Sequence, residues 1–141
     1  MARFTTTVPS RRSQADAFAY MAAFENAAEW DPSVTESVRA GDASLGAGTA
    51  FEVVSRFGPR LVKLTYTIVR YEPDRLVVLE ARSKGFVSTD TITVEPVGDA
   101  SRVTYDALLE FGGLGRLADP VLQLVFNRVG RKAEARLREV L

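Results

Sequence analysis

The chemistry open to this chain is narrow. It contains no histidine and no cysteine. That removes Ser–His and Cys–His nucleophile pairs, thiolate sites, disulfides and the commonest metal ligand. Acid–base work would fall to carboxylates, tyrosines, lysines or bound water. The glycine-rich run Gly41-Asp42-Ala43-Ser44-Leu45-Gly46-Ala47-Gly48 lacks the Gly-Lys-Ser/Thr of a phosphate loop and is expected to be a flexible rim. We expect no cofactor and no metal.

Asp90 stands apart from the other carboxylates, because strand register places it on an apolar face opposite Leu79 and near Ala107. A carboxylate there is costly unless it is paired or reaches water. Two uses are open. One is a cavity carboxylate that orients a ligand or transfers protons, the candidate catalytic group if there is one. The other is a structural pair with Arg70, which the same register puts on that face. We expect Arg70 or a backbone donor to hold Asp90 ionised, with a depressed pKa. Tyr66, Tyr105 and Ser88 share the face; they could offer hydroxyls to a ligand or be ordinary sheet residues with satisfied hydroxyls. Trp30 and Asp31 end a helical insertion, where the indole is expected to plug small helices onto the sheet.

The elements that position these residues follow from periodicity. Residues 3–9 alternate, with Phe4, Thr6 and Val8 on one face, as a short strand ended by Pro9. Ser13, three residues before Asp16, caps a short helix carrying Phe18, Met21 and Ala22; Glu25 to Trp30 forms a second, stopped by Asp31-Pro32. Strands follow near 33–40, 48–57, 61–71, 76–83, 86–96 and 102–111, separated by hairpin-short turns. Four turns can be checked against one another, because a tight turn opposes residues whose numbers share a sum. They pair Phe51 with Tyr66, Val53 with Leu64, Ile68 with Leu79, Leu79 with Asp90, Val77 with Ile92, Ile92 with Tyr105 and Val94 with Val103. All agree on one apolar face, and Glu52, Lys63, Thr65, Glu80, Thr91 and Arg102 fall on the other.

After Gly112-Gly113 the period becomes helical. Asp119-Pro120 reads as an N-cap and first-turn pair. Val121, Leu122, Val125, Phe126, Val129, Ala133, Leu137 and Val140 form one stripe on a helix near residues 117–140, expected to pack on the apolar face of the sheet. Arg128, Arg131, Lys132, Arg136 and Arg138 make this helix basic, but Glu134 and Glu139 interrupt the run, so a solvated face is expected.

This order of elements resembles the START-like, or SRPBCC, superfamily, and within it the polyketide cyclase/dehydrase and lipid transport group. The stretches that carry the likeness are Ala17-Phe18-Ala19-Tyr20-Met21 with Glu29-Trp30-Asp31-Pro32, Tyr71-Glu72-Pro73-Asp74-Arg75-Leu76, Thr89-Asp90-Thr91-Ile92-Thr93-Val94-Glu95-Pro96 and Ser101-Arg102-Val103-Thr104-Tyr105. The resemblance implies an α+β helix-grip fold: a curved antiparallel sheet of about seven strands around a long C-terminal helix, with two short helices between the first two strands. It also implies a ligand cavity between helix and sheet. Small inward residues (Ala81, Ser88, Ala107) leave room for one. The expected ligand-binding set is Tyr66, Ser88, Asp90, Tyr105 and Leu109 from the sheet, with Leu122, Val125, Phe126 and Val129 from the helix.

Two functions fit: binding of a small hydrophobic molecule, lipid-, polyketide- or aromatic-like, or a cofactor-independent cyclase/dehydratase using Asp90 and the cavity tyrosines. The 141 residues are read as one domain, 1–141, with zero formal net charge from 18 basic and 18 acidic residues. That balance gives no expectation of a nucleic-acid partner. No segment reaches the ~20 apolar residues of a membrane span, and the N-terminus lacks the apolar run of a signal peptide. The expected setting is cytoplasmic, as a monomer or homodimer.

Overall fold

The computed structural model describes residues 1–42, 44–113 and 119–141, apart from the side chain of Asp119. Strand β1 (Ala2–Ser10) leads into α1 (Gln14–Ala22), a 3-10 turn (Phe24–Asn26) and α2 (Ala27–Trp30). Six strands follow: β2 (Val34–Arg39), β3 (Ala50–Phe57), β4 (Arg60–Glu72), β5 (Leu76–Ser83), β6 (Phe86–Val97) and β7 (Ala100–Phe111). The long helix α3 (Asp119–Val140) closes the chain. Its expected start at residue 117 lies outside the described residues, as does Ala43 of the glycine-rich loop.

The seven strands form one antiparallel sheet in the order β1-β7-β6-β5-β4-β3-β2, curled into a half-barrel: the helix-grip fold. Every register pair derived from the turns is present, including Phe51–Tyr66, Leu79–Asp90 and Ile92–Tyr105. The reason is local. Each hairpin is short, so its turn fixes the pairing, and a slip of one residue would turn the whole apolar set outward. β1 continues through Pro9 to Ser10 rather than stopping, because an edge strand tolerates a residue without an N–H donor.

Two departures bear on the site. A bulge between Ile68 and Arg70 shifts the β4–β5 register by one residue, so that Arg70 lies opposite Val78 and Tyr71 opposite Val77. Arg70 is therefore turned to the outer surface, where its guanidinium lies 2.6 Å from the Glu72 carboxylate. Tyr71 takes the inward place and meets Phe18 edge-on, ring centroids 5.5 Å apart.

The second departure is in α3. Ala133 and Leu137 are buried and Phe126, Val129 and Val140 partly so, but Val121 and Val125 face solvent, with Val125 53% exposed. The helix covers the sheet with the face that carries Leu122, Phe126, Val129, Ala133 and Leu137, all buried or partly buried, while Val121 and Val125 lie on its flank, beside the exposed Arg128 and Lys132. The C-terminal half is held firmly. Arg11 N–H and the Ser10 hydroxyl both donate to the Leu141 carbonyl (3.0 and 3.1 Å), and the Arg12 guanidinium donates to Val140 O (3.0 Å). These satisfy carbonyls that a helix end otherwise leaves open. Nearer the start, the Gln123 amide makes paired bonds to the backbone of Arg3 on the edge strand, 2.8 Å from its N–H and 2.7 Å to its carbonyl.

Between these anchors α3 crosses β1 at Gly130. A Cβ built there would lie 2.3 Å from Cγ of Phe4, so the ring occupies the space that any larger residue needs. We predict that Gly130→Ala destabilises the protein by about 1–3 kcal/mol through overpacking. In a Phe4→Ala background the same change should stabilise, by up to about 1 kcal/mol, through helix propensity alone. Denaturant unfolding of the four proteins in this cycle reads the sign reversal.

Candidate functional site: a carboxylate-bearing cavity

Between the concave face of the sheet and α3 lies a cavity of about 60 Å³, partly open to solvent. An ordered water needs at least ~10–15 Å³ on this measure, so the cavity has room for a small group of non-hydrogen atoms. Its wall includes Tyr66, Ser88, Asp90, Tyr105, Ala107 and Leu109 from the sheet and Phe126, Val129 and Gly130 from α3. Of the expected set, Tyr66, Ser88, Asp90, Tyr105, Leu109, Phe126 and Val129 are thus brought together. Leu122 and Val125 are not: Leu122 is partly buried on α3 outside the cavity wall, and Val125 lies exposed on the flank of the helix. Ala81 is fully buried in the core without lining the cavity, so the room comes from Ser88 and Ala107.

The sheet explains the position of each polar group. Asp90 sits in β6 opposite Ala107 of β7, whose methyl leaves space above the carboxyl. The Tyr105 hydroxyl donates to Asp90 Oδ2 at 3.2 Å, the one hydrogen bond of the Asp90 carboxyl among the described residues. The Tyr66 hydroxyl and Ser88 Oγ are bonded at 2.8 Å. Asp90 is 4% exposed. No lysine or arginine lines the cavity among the described residues, and Arg70, the expected counter-ion, is on the far side of the sheet.

The electrostatic outcome is the reverse of the expected one. Burial, reinforced by the charges of Asp31 and Asp106 and only partly offset by the Tyr105 hydroxyl, pushes the Asp90 pKa up to about 8. Burial and the neighbouring Asp90 also raise the pKa values of Tyr66 and Tyr105, so both hydroxyls stay protonated.

Several wall residues carried no usable signal in the sequence. Asp31 follows the last residue of α2 and lines the cavity, its Oδ1 accepting from Ser33 N–H (2.9 Å) and Ser33 Oγ–H (2.7 Å). Burial raises its pKa, against the Ser33 hydrogen bonds and the charge of Arg136. Ser33, Ser55, Phe4 and Phe24 complete this side. The motif Asp31-Pro32 read only as a helix stop, since nothing in its spacing showed where the carboxylate would point.

Trp30 is fully buried and plugs the helical insertion onto the sheet, as expected. Its ring meets Tyr105 edge-on at 4.9 Å and Phe24 at 6.3 Å, and Phe24 in turn packs on Tyr66 at 5.2 Å. The aromatic cluster fixes both cavity tyrosines from behind. The described part of the Gly41–Gly48 loop does not reach the cavity wall; it is tied to β4 through Gly48 N–H to Ile68 O at 2.8 Å. The basic side chains of α3 are exposed, as expected of a solvated face.

A seven-stranded half-barrel gripping a C-terminal helix over an internal cavity defines the START/SRPBCC superfamily. The chain belongs to its polyketide cyclase / dehydrase and lipid transport family, whose model matches residues 1–141. Among solved structures it is similar to a START superfamily protein from Mycobacterium smegmatis (11% identity, all of both chains covered, TM-score 0.72). It is also similar to the Zhui aromatase/cyclase from Streptomyces sp. R1128 (11% identity, 97% of this chain and 91% of that one, TM-score 0.71). A third likeness is to the di-domain ARO/CYC StfQ of the steffimycin biosynthetic pathway (17% identity, 98% of this chain and 51% of that one, TM-score 0.66). At these identities the likeness is one of fold. No curated protein matches the sequence.

The raised pKa of Asp90 has a consequence for stability. The folded state holds a proton that the unfolded chain releases near pH 3.8, so between there and about pH 8 the folded state binds more protons than the unfolded. Stability should therefore fall as pH rises through this window, by up to about 1.4 kcal/mol per pH unit, and level off above it. Asp31 adds in the same direction. Asp90→Asn should flatten most of the slope and gain on the wild type as pH rises. Urea unfolding at several pH values checks this; a wild type that gains stability over Asp90→Asn with rising pH would show instead that Asp90 is held ionised.

Proposed function

We propose that this protein binds a small hydrophobic molecule, lipid-, polyketide- or aromatic-like, in the cavity between sheet and α3. The observation that carries the reading is the cavity itself, an apolar space whose wall holds one cluster of hydroxyl and carboxyl groups. A pocket that is mostly apolar with a few convergent polar groups suits a ligand recognised by its shape and oriented by one polar function. Family membership supports the reading, as does the likeness of fold to START and aromatase/cyclase structures. The α3 wall of the cavity is formed by Phe126, Val129, Gly130 and Ala133, side chains of graded size that suit an apolar body. The reading takes residues 1–141 as one ligand-binding domain.

A second reading is favoured by one observation, the Asp90 pKa near 8 beside the Tyr105 hydroxyl. A carboxyl group that titrates near neutral pH can both give and take a proton. In this reading Asp90 takes a proton next to a substrate carbonyl and returns it to a departing hydroxyl, as a cyclase/dehydratase requires, with Tyr66 and Tyr105 as hydrogen-bond donors. The binding reading needs none of these steps and uses the same groups to orient the ligand.

Native mass spectrometry of the purified protein, followed by denaturing extraction, should release a small apolar molecule. Ala107→Phe, which fills the cavity opposite Asp90, should abolish the adduct while leaving the circular dichroism spectrum intact. An adduct that survives Ala107→Phe at the wild-type level would overturn the cavity as the site. Conversion of the released molecule to a cyclised or dehydrated product, lost in Asp90→Asn, would establish the enzyme in place of the binder.

A further inference from the structure

The polar groups of the cavity are biased in sign. Its wall carries two carboxyl groups, Asp31 and Asp90, and, among the described residues, no lysine or arginine. One oxygen of Asp90 accepts a bond from Tyr105; the other has no donor among the described residues and borders the cavity, although the residue is almost wholly buried. The same wall presents the aromatic rings of Phe4, Phe24, Phe57, Tyr66, Tyr105 and Phe126. A cation is attracted to the faces of such rings and to a carboxylate, and both attractions strengthen where water is excluded. An anionic head group meets hydroxyls here but, among the described residues, no cation to compensate its charge, and two carboxyl groups.

We infer that the ligand carries an organic ammonium group on a small apolar body, with the cation held against Asp90 and the ring faces of Phe24, Tyr66 and Tyr105. The inference rests on the binding reading above and narrows it to one chemical class. On the same grounds fatty acids, phosphate esters and other anions should bind less tightly than an ammonium of the same size.

The groups around Asp90 define the proton balance. Asp31 at the end of α2 and the Tyr105 and Tyr66 hydroxyls share the cavity with it; Asp106, paired with Arg3 on the outer face of the sheet, acts on it across β7, and Arg136 of α3 acts on Asp31. With no cation among the groups acting on Asp90, the empty cavity keeps it protonated at neutral pH. An ammonium ligand supplies the missing charge, so Asp90 ionises on binding and a proton passes to solvent. A neutral ligand requires no such release.

Phenyltrimethylammonium and its uncharged isostere tert-butylbenzene test this, because the charge of the first cannot titrate. Binding is followed by NMR shifts of the Asp90 and Tyr105 amides. The ammonium compound should bind at least tenfold more tightly at pH 8 than the isostere. Its affinity should rise by up to about tenfold per pH unit as pH increases toward 8, with that of tert-butylbenzene unchanged. Asp90→Asn should remove the preference and the pH dependence together. Should that variant fail to fold, the pH profile of the wild type and proton release, measured calorimetrically in buffers of different ionisation enthalpy, carry the test. Equal or tighter binding of tert-butylbenzene would overturn the ammonium class and leave the cavity-binding reading standing. Binding of neither compound, with no shift at any wall residue, would overturn both.

Discussion

The feature on which the site depends is a carboxyl group buried on an apolar surface without a countercharge. Asp90 lies in β6, flanked by β5 and β7, on the concave face that α3 covers. An ionised carboxylate in such a place costs several kcal/mol unless something pairs with it. Arg70 would have been the partner, and the bulge in β4 turns it away. The group answers the cost by keeping its proton. The neighbouring side chains fit that state: Ala107 leaves space rather than a donor, and Tyr105 offers a single hydrogen bond.

The rest of the fold holds this arrangement still. Trp30, Phe24 and Phe51 form a buried aromatic plug behind Tyr66 and Tyr105, so the helical insertion between β1 and β2 sets the orientation of the cavity hydroxyls. At one end α3 is clamped by Ser10, Arg11 and Arg12, and over its middle Phe4 packs directly on Gly130. Toward the start of the helix Val121, Leu124 and Val125 are exposed on the outer side, while Gln123 and Phe126 keep the inner side on β1 and the core.

The sheet was legible in the sequence because its information is local. Short turns fix register, and four hairpins that agree on one face leave little freedom. Asp90, Tyr66, Ser88 and Tyr105 were placed correctly for that reason. Arg70 was misplaced because a bulge at Val69 inserts one residue into an alternation that otherwise continues unbroken. Val125 falls outside the site because the apolar stripe of α3 is wider than its contact with the sheet, and Leu122 because a place on the covered face does not tell which residues reach the cavity. Asp31 and Ser33 escaped notice because they lie outside any periodic element, where side-chain direction depends on tertiary packing. The Phe4–Gly130 contact joins the two ends of the chain, and a glycine within a helix stripe carries no sign of what fills its missing side chain. The sign of the Asp90 shift followed from the Arg70 error: once the counter-ion is removed, desolvation decides.

The charge of Asp90 in the ligand-free protein governs both the pH dependence of stability and the class of ligand the cavity takes. The direct measurement is an NMR titration of its carboxyl carbon in the ligand-free protein. The structure predicts a midpoint near 8, because burial and the nearby carboxylates favour the neutral form. A midpoint at or below the ~3.9 of a free aspartate would show a countercharge or donor set that the geometry does not contain, and would contradict both the neutral carboxyl and the ligand class drawn from it.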